Sequence, residues 1–215
     1  MARIRTIPKD PPKKRRNYYV VDACFLADKY VPITGTKGKN AKERLRRTKK
    51  WWNEIDRQTK AERARVYVPD LCIAEAFKVL AKKYYQESAF ANSAAYKYAR
   101  ECLQRDVSIQ HKDLKSKDRW IPCHDLPATR DIIIAIDRFY ELFLKHNKSV
   151  GVIDLIVVAS AKHLMDFYDI SKSQLHIITM DKALWQGIKK IAEIPNAYDP
   201  AEDPDDYDKI FVSST

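Results

Sequence analysis

The sequence has no CxxC pair, no signal-peptide apolar segment, no apolar run long enough to cross a bilayer and no internal repeat. The four cysteines, Cys24, Cys72, Cys102 and Cys123, lie far apart. That spacing excludes a zinc knuckle or a dithiol redox motif and predicts reduced, buried small hydrophobes. The stretch Met1 to Arg16 is basic and contains prolines, but it runs into Asn17-Tyr18-Tyr19-Val20-Val21 without a cleavage site. Nothing there directs secretion, so a cytoplasmic location is expected. The apolar runs Ile132 to Ile136 and Leu155 to Ala161 are too short to span a membrane. His111, His124 and His163 have no second histidine at metal-ligand spacing and are set aside as structural or solvated.

Acids are the scarcer charge: 29 Asp+Glu face 40 Lys+Arg in 215 residues, a formal charge of +11 and a pI near 9.4. Such a field concentrates polyanions at the surface, and nucleic acid is the obvious one; a merely solubilising basic surface is the other reading. Hydrophobic residues at 45% and charged residues at 32% give the balance of a soluble globular protein. The length suits one core, read as a single domain with helical insertions.

Tyr18-Tyr19-Val20-Val21 reads as a strand buried on both faces of a parallel sheet, ending on Asp22. From Lys37 to Arg65 there are twelve Lys or Arg and four acids, with Leu45, Thr48, Trp52 and Ile55 at helical spacing. This is a basic amphipathic helix, and Arg44, Arg46, Arg47, Lys49 and Lys50 are its candidate RNA-binding residues. Val66-Tyr67-Val68 reads as a strand and Pro69-Asp70 as a turn. A helix follows with Leu71, Ala74, Phe77, Val79 and Leu80 inward and continues through Gln86 to Arg105. A loop is expected near 106–119, and a short strand at Trp120-Ile121-Pro122. Thr129 and Asp131 cap a helix reaching about His146, with Ile132, Ile136, Phe139 and Phe143 as its apolar stripe. A second helix spans roughly Val150 to Asp166. Gln174 to Thr179 forms another buried strand, closing on Met180-Asp181 before a helix through Lys190. Strand and helix alternation implies a parallel α/β sheet with helices on both faces. Residues 1–16 form a basic arm, 17–198 the domain, and 199–215 an acidic tail. Within that tail Asp199 to Asp208 holds six acids, two prolines and no base, so an extended or disordered segment is expected.

Four acids stand out against this background. Asp22 and Asp181 follow strands and emerge where ligands bind an open parallel sheet, although acids at such places are most often helix caps. Asp154 interrupts Val152-Ile153-Asp154-Leu155-Ile156, where an ionised carboxylate needs a cation, a donor network or a metal; a buried salt bridge is the alternative. Glu75 shares a helix with Leu71, Phe77 and Leu80, a setting that alone signifies little. As a set the four repel one another unless a hard divalent cation joins them, and all-oxygen ligation points to Mg²⁺ or Mn²⁺ rather than zinc.

In order along the chain, Val20-Val21-Asp22-Ala23-Cys24-Phe25-Leu26, Val68 to Leu80 around Glu75, Asp154 to Ala161, and Ile178-Thr179-Met180-Asp181 resemble the four acidic motifs of PIN-domain nucleases. Each motif is weak alone and the ordered set is specific, covering about Tyr18 to Lys190. The resemblance is closest to the VapC-like branch. It implies a PIN-like fold, metal-dependent endoribonuclease activity leaving 5′-phosphate and 3′-hydroxyl ends, and Asp22, Glu75, Asp154 and Asp181 as catalytic metal-site residues. Toxins of that branch cut RNA and are held inactive by an antitoxin, so the candidate partners are RNA, an antitoxin protein and a second copy of the chain, with a role as toxin or as RNA-processing enzyme both open. The family usually has Ser, Thr or Asn two residues after the first acid, where this chain has Cys24. Residues near Lys37 to Arg65 and Gln86 to Arg119 are extra, and Trp51, Trp52, Tyr84 and Tyr85 could present stacking faces to unpaired bases. Two rivals remain: a non-catalytic PIN-fold RNA-binding or scaffold protein, and a phosphotransferase with Asp22 as nucleophile, for which the D-x-D pattern is absent.

Overall fold

A computed structural model describes residues 16–108, 122–202 and 206–211 of the chain. In chain order the elements are β1 (Asn17–Val21), α1 (Ala23–Asp28), α2 (Lys39–Lys60), β2 (Ala64–Pro69), α3 (Asp70–Tyr85) and α4 (Ser93–Val107). They continue as β3 (His124–Leu126), α5 (Arg130–Lys145), α6 (Val152–Phe167), β4 (Leu175–Ile178), α7 (Lys182–Ile188), β5 (Asn196–Tyr198) and α8 (Asp206–Phe211). The five strands form one all-parallel sheet in the order β3-β2-β1-β4-β5. This is the PIN-like α/β architecture expected from the sequence.

Alternation along β1 sorts the two faces, because successive side chains in a strand point opposite ways. Tyr19, fully buried, turns towards α2, donating from its hydroxyl to Gln58 at 2.8 Å and packing against His176 and Phe211. Tyr18 and Tyr67 stack on the opposite face, where α6 crosses β1, β2 and β4. With a layer on each side, the strands read as continuous apolar runs. The chain adds β2 and β3 on one side of β1, then crosses to the other side for β4 and β5. The reversal lies between β1 and β4, which opens a crevice beyond their carboxyl ends.

Several sequence expectations need correction. The helix expected to continue through Gln86 stops at Tyr85 and restarts at Ser93. Ser88 takes a left-handed φ of 53°, and Asn92 caps the new helix by accepting from Ala95 N–H at 2.9 Å. A short strand is present at His124–Leu126, paired with Tyr67 to Pro69, and of the strand expected at Trp120-Ile121-Pro122 only Pro122, which is not in a strand, is described. Trp120 and Ile121, like the basic arm before Arg16 and most of the expected loop, lie outside the described residues. Trp51 and Trp52 are each 2% exposed, so they cannot stack on bases. Trp52 stacks on Phe25 and donates to its carbonyl at 2.8 Å. The acidic segment after Tyr198 is no free tail: Asp206–Phe211 is helical, with Ile210 and Phe211 buried and Phe211 edge-on to Trp51. Apolar residues beyond the acids gain more from burial against Trp51 than the charged segment gains from solvation. No helix among the described residues is long and apolar enough to cross a membrane.

Candidate active site

All four acids singled out in the sequence line one cleft of about 310 Å³, together with Cys24, Gly151, Val152, Val157 and Met180. Asp22 enters it as the residue between β1 and α1, Glu75 from α3, Asp154 from the first turn of α6, and Asp181 as the cap of α7. The cleft stands at the sheet's switch point, where the two strands flanking the reversal end on Asp22 and on Thr179-Met180-Asp181.

Asp22 is the most constrained of the four, at 5% exposure. Its Oδ1 accepts from Phe25 N–H at 2.6 Å, and its Oδ2 accepts from the Thr179 hydroxyl and Met180 N–H, both at 2.7 Å. Burial pushes its pKa up to about 6, against the pull of those three donors. Cys24, two residues on, is exposed, and the side-chain donor to Asp22 is Thr179 from the neighbouring strand end. Thr179 also accepts from Asp181 N–H at 3.0 Å, so one buried hydroxyl ties the two strand-end acids together. The T-x-D pattern carried this signal in the sequence, but the role of its threonine was not assigned there.

Asp154 is partly buried, and its pKa is pushed up to about 7 by desolvation first, then by the charges of Asp181, Asp22 and Glu75. Among the described residues no salt bridge neutralises it; its Oδ2 turns back to accept from Gly151 N–H at 3.2 Å. A Cβ at Gly151 would stand 3.1 Å from that oxygen, so the close approach favours glycine. Asp181 Oδ1 caps α7 by accepting from Leu184 N–H at 2.7 Å. Among the described residues the other oxygens of Asp154 and Asp181, and both of Glu75, carry no hydrogen bond. Also among the described residues, no three His, Cys, Asp or Glu side chains stand as a formed metal-ligand set. The acids share a cleft rather than a coordination sphere.

The basic residues of α2 divide by role. Arg44 donates to the Met180 carbonyl at 2.9 Å, which anchors α2 to the site itself. Arg47 donates to Ala201 O at 2.9 Å, Lys49 to Lys29 O at 2.8 Å, and Lys50 lies 3.8 Å from the Tyr207 ring centroid. These contacts dock the helix as well as charge it. Arg46 is more exposed and among the described residues pairs only with Glu43, at 3.6 Å. His124 stacks on Tyr67 and His163 on Phe167, and neither lines the cleft.

No family model matches the chain, and no curated protein matches its sequence. A solved structure does: FitAB bound to an IR36 DNA fragment, at a TM-score of 0.51 over 86% of this chain and 96% of that one. The two share a fold. At 13% identity the likeness is one of backbone architecture.

Proposed function

We propose that this protein is a divalent-metal-dependent endoribonuclease. The observation that carries the reading is the convergence of four carboxylates on one cleft at the switch point, with no basic side chain among its lining residues. An uncompensated cluster of this kind stores repulsion that a cation would relieve. The donor chemistry fits Mg²⁺ or Mn²⁺, since four of the lining side chains are carboxylates and, among the described residues, several of their oxygens carry no hydrogen bond. Asp154, Asp181 and Glu75 would hold the ion through those oxygens, with Asp22 behind them as the fixed anion. A bound ion would supply positive charge to a phosphodiester gaining negative charge in its transition state, and a source of hydroxide at neutral pH. Thr179 keeps Asp22 and Asp181 in register, and Gly151 holds the backbone clear of Asp154. Glu75 can take up the proton of an attacking water.

Cleavage of single-stranded RNA is expected with Mg²⁺ or Mn²⁺ and to vanish in excess EDTA. Undiminished cleavage under chelation would exclude the metal reading and point to acid–base chemistry. The rival, a non-catalytic RNA-binding protein on the same fold, draws on the saturation of Asp22 by protein donors. Metal-independent binding without turnover would establish it.

Nucleic acid is the partner class favoured by the charge of +11 and by the FitAB neighbour, whose structure holds a DNA fragment. Between Lys37 and Lys50 there are eight bases and one acid. Replacing Lys39, Lys42 and Arg46 together with alanine is expected to reduce the slope of log affinity against log salt by about 2. An unchanged slope would show that this helix serves something other than phosphate. Resemblance to the VapC-like branch adds a role as a toxin with an antitoxin partner and a homodimeric state. Growth arrest on expression of the wild type but not of Asp22→Asn tests the first, and sedimentation tests the last.

A further inference from the structure

A second, larger groove of about 830 Å³, a size suited to a nucleotide unit, shares the lining residue Cys24 with the acidic cleft. α1, α3 and the N-terminal half of α2 form its walls. The charges lining it are unequal in their freedom. Glu43 is engaged by Arg46 and Arg47, Glu87 by Lys83, and Glu202 by Lys182. Lys37 and Arg44 are in no close ion pair among the described residues, and Arg44 spends a single hydrogen bond on the Met180 carbonyl, beside Asp181. The remaining acid, Asp28, is the last residue of α1. It is partly buried, and among the described residues its carboxylate has no hydrogen-bond partner, although Lys83, Arg44 and Lys49 attract it. A half-buried acceptor that spends no hydrogen bond within the fold can take one from a ligand in the groove it lines.

We propose that this groove is a nucleotide subsite in which the Asp28 carboxylate reads the Watson–Crick edge of a guanine, while Arg44 and Lys37 hold the adjoining phosphate. A carboxylate only accepts, so it matches an edge that presents donors side by side. Guanine offers N1–H and an N2 amino hydrogen in parallel. Adenine and cytosine offer one exocyclic amino group beside an acceptor, and uracil a lone N3–H between two carbonyls. Unpaired bases display this edge, so the ligand is a single strand. The groove shares Cys24 with the acidic cleft, so the guanine sits next to the phosphodiester to be cut. This assignment rests on the nuclease reading for the identity of the strand and for the position of the cut.

The test measures binding of short RNA oligonucleotides in EDTA, with no metal and no cleavage. The set carries guanine, inosine, adenine or uracil at a single position. Wild type is expected to prefer guanine over inosine, which lacks the N2 amino group, by about tenfold, within the range of a bidentate base contact. Asp28→Ala should abolish that preference, and Asp28→Asn should reduce it, at melting temperatures that show both variants folded. Arg44→Ala should weaken every oligonucleotide alike and leave the preference standing. Equal binding of guanine and inosine by wild type, or a preference that survives Asp28→Ala, overturns the assignment. Because the readout is metal-free, failure of the nuclease reading appears separately, as no cleavage by wild type when Mn²⁺ is supplied.

Discussion

Asp154→Asn is expected to abolish RNA cleavage while leaving the metal-free protein as stable as wild type or more so. The structure gives the sign. Among the described residues Asp154 has no cationic partner whose charge would be stranded, and its one acceptor bond, to Gly151 N–H, can be kept by an amide oxygen. What the substitution removes is a desolvated charge facing Asp181, Asp22 and Glu75. Had it neutralised a buried arginine, the same change would cost roughly 3–5 kcal/mol. The effect depends on pH in a defined direction. Asp154 and Asp22 have folded-state pKa values raised to about 7 and about 6, from an ordinary value of 3.8. Between pH 4 and 7 the folded chain therefore binds more protons than the unfolded one, and metal-free stability falls as pH rises through that window. Asp154→Asn should flatten the decline. Adding Mn²⁺ should raise the melting temperature of wild type and not of the variant, because only a site that binds the ion gains from linkage. Equal Mn²⁺ shifts for both proteins, with a large loss of metal-free stability in the variant, would remove Asp154 from the site.

Lys29→Met is expected to destabilise the fold by about 3–5 kcal/mol, a large share of the roughly 5–15 kcal/mol available to a domain. The Lys29 ammonium lies 3.1 Å from Asp56 of α2 and 3.5 Å from Asp106 of α4, and 4.6 Å from the Trp52 ring centroid. Tyr30 donates to the same Asp106 carboxylate at 2.9 Å. One cation thus joins the end of α1 to both helices that the sequence marks as extra. Removing it leaves two carboxylates, with side chains 24% and 12% exposed, without the cation they share, and Asp106 keeps as a cation only the more exposed Arg105, at 3.7 Å, among the described residues. Adding Asp56→Asn in the Lys29→Met background should recover part of the loss, which a double-mutant cycle by denaturant unfolding would resolve. A loss below about 1 kcal/mol would show that solvent screens the network as it does a surface pair.

Strands and site acids were legible in the sequence because their signals are local. Val20-Val21 before Asp22 and Ile177-Ile178 before Thr179 are apolar on both faces, and only a covered parallel sheet accepts that. Thr129 was readable as a cap because its side chain serves Ile132 N–H, three residues on. The break at Ser88 was not: Gln86 to Arg105 contains no proline or glycine to mark it. A Cβ on Gly35 would stand 2.0 Å from the Ala89 carbonyl, so a distant segment packs against this turn.

The sequence by itself determined the α/β class, the order of the acidic motifs and the basic excess of α2, since each depends on neighbours within a few residues. Tertiary structure alone decided which groups share space. It brought Thr179 to Asp22 across 157 positions of chain, buried Trp51 under α8, and turned Arg47 and Lys49 into docking contacts. It also left Asp28, among the described residues, without a donor in a groove beside the acids. The physical reason is that hydrogen bonds and desolvation act over a few ångströms in space, and only the completed sheet brings these distant residues within that reach.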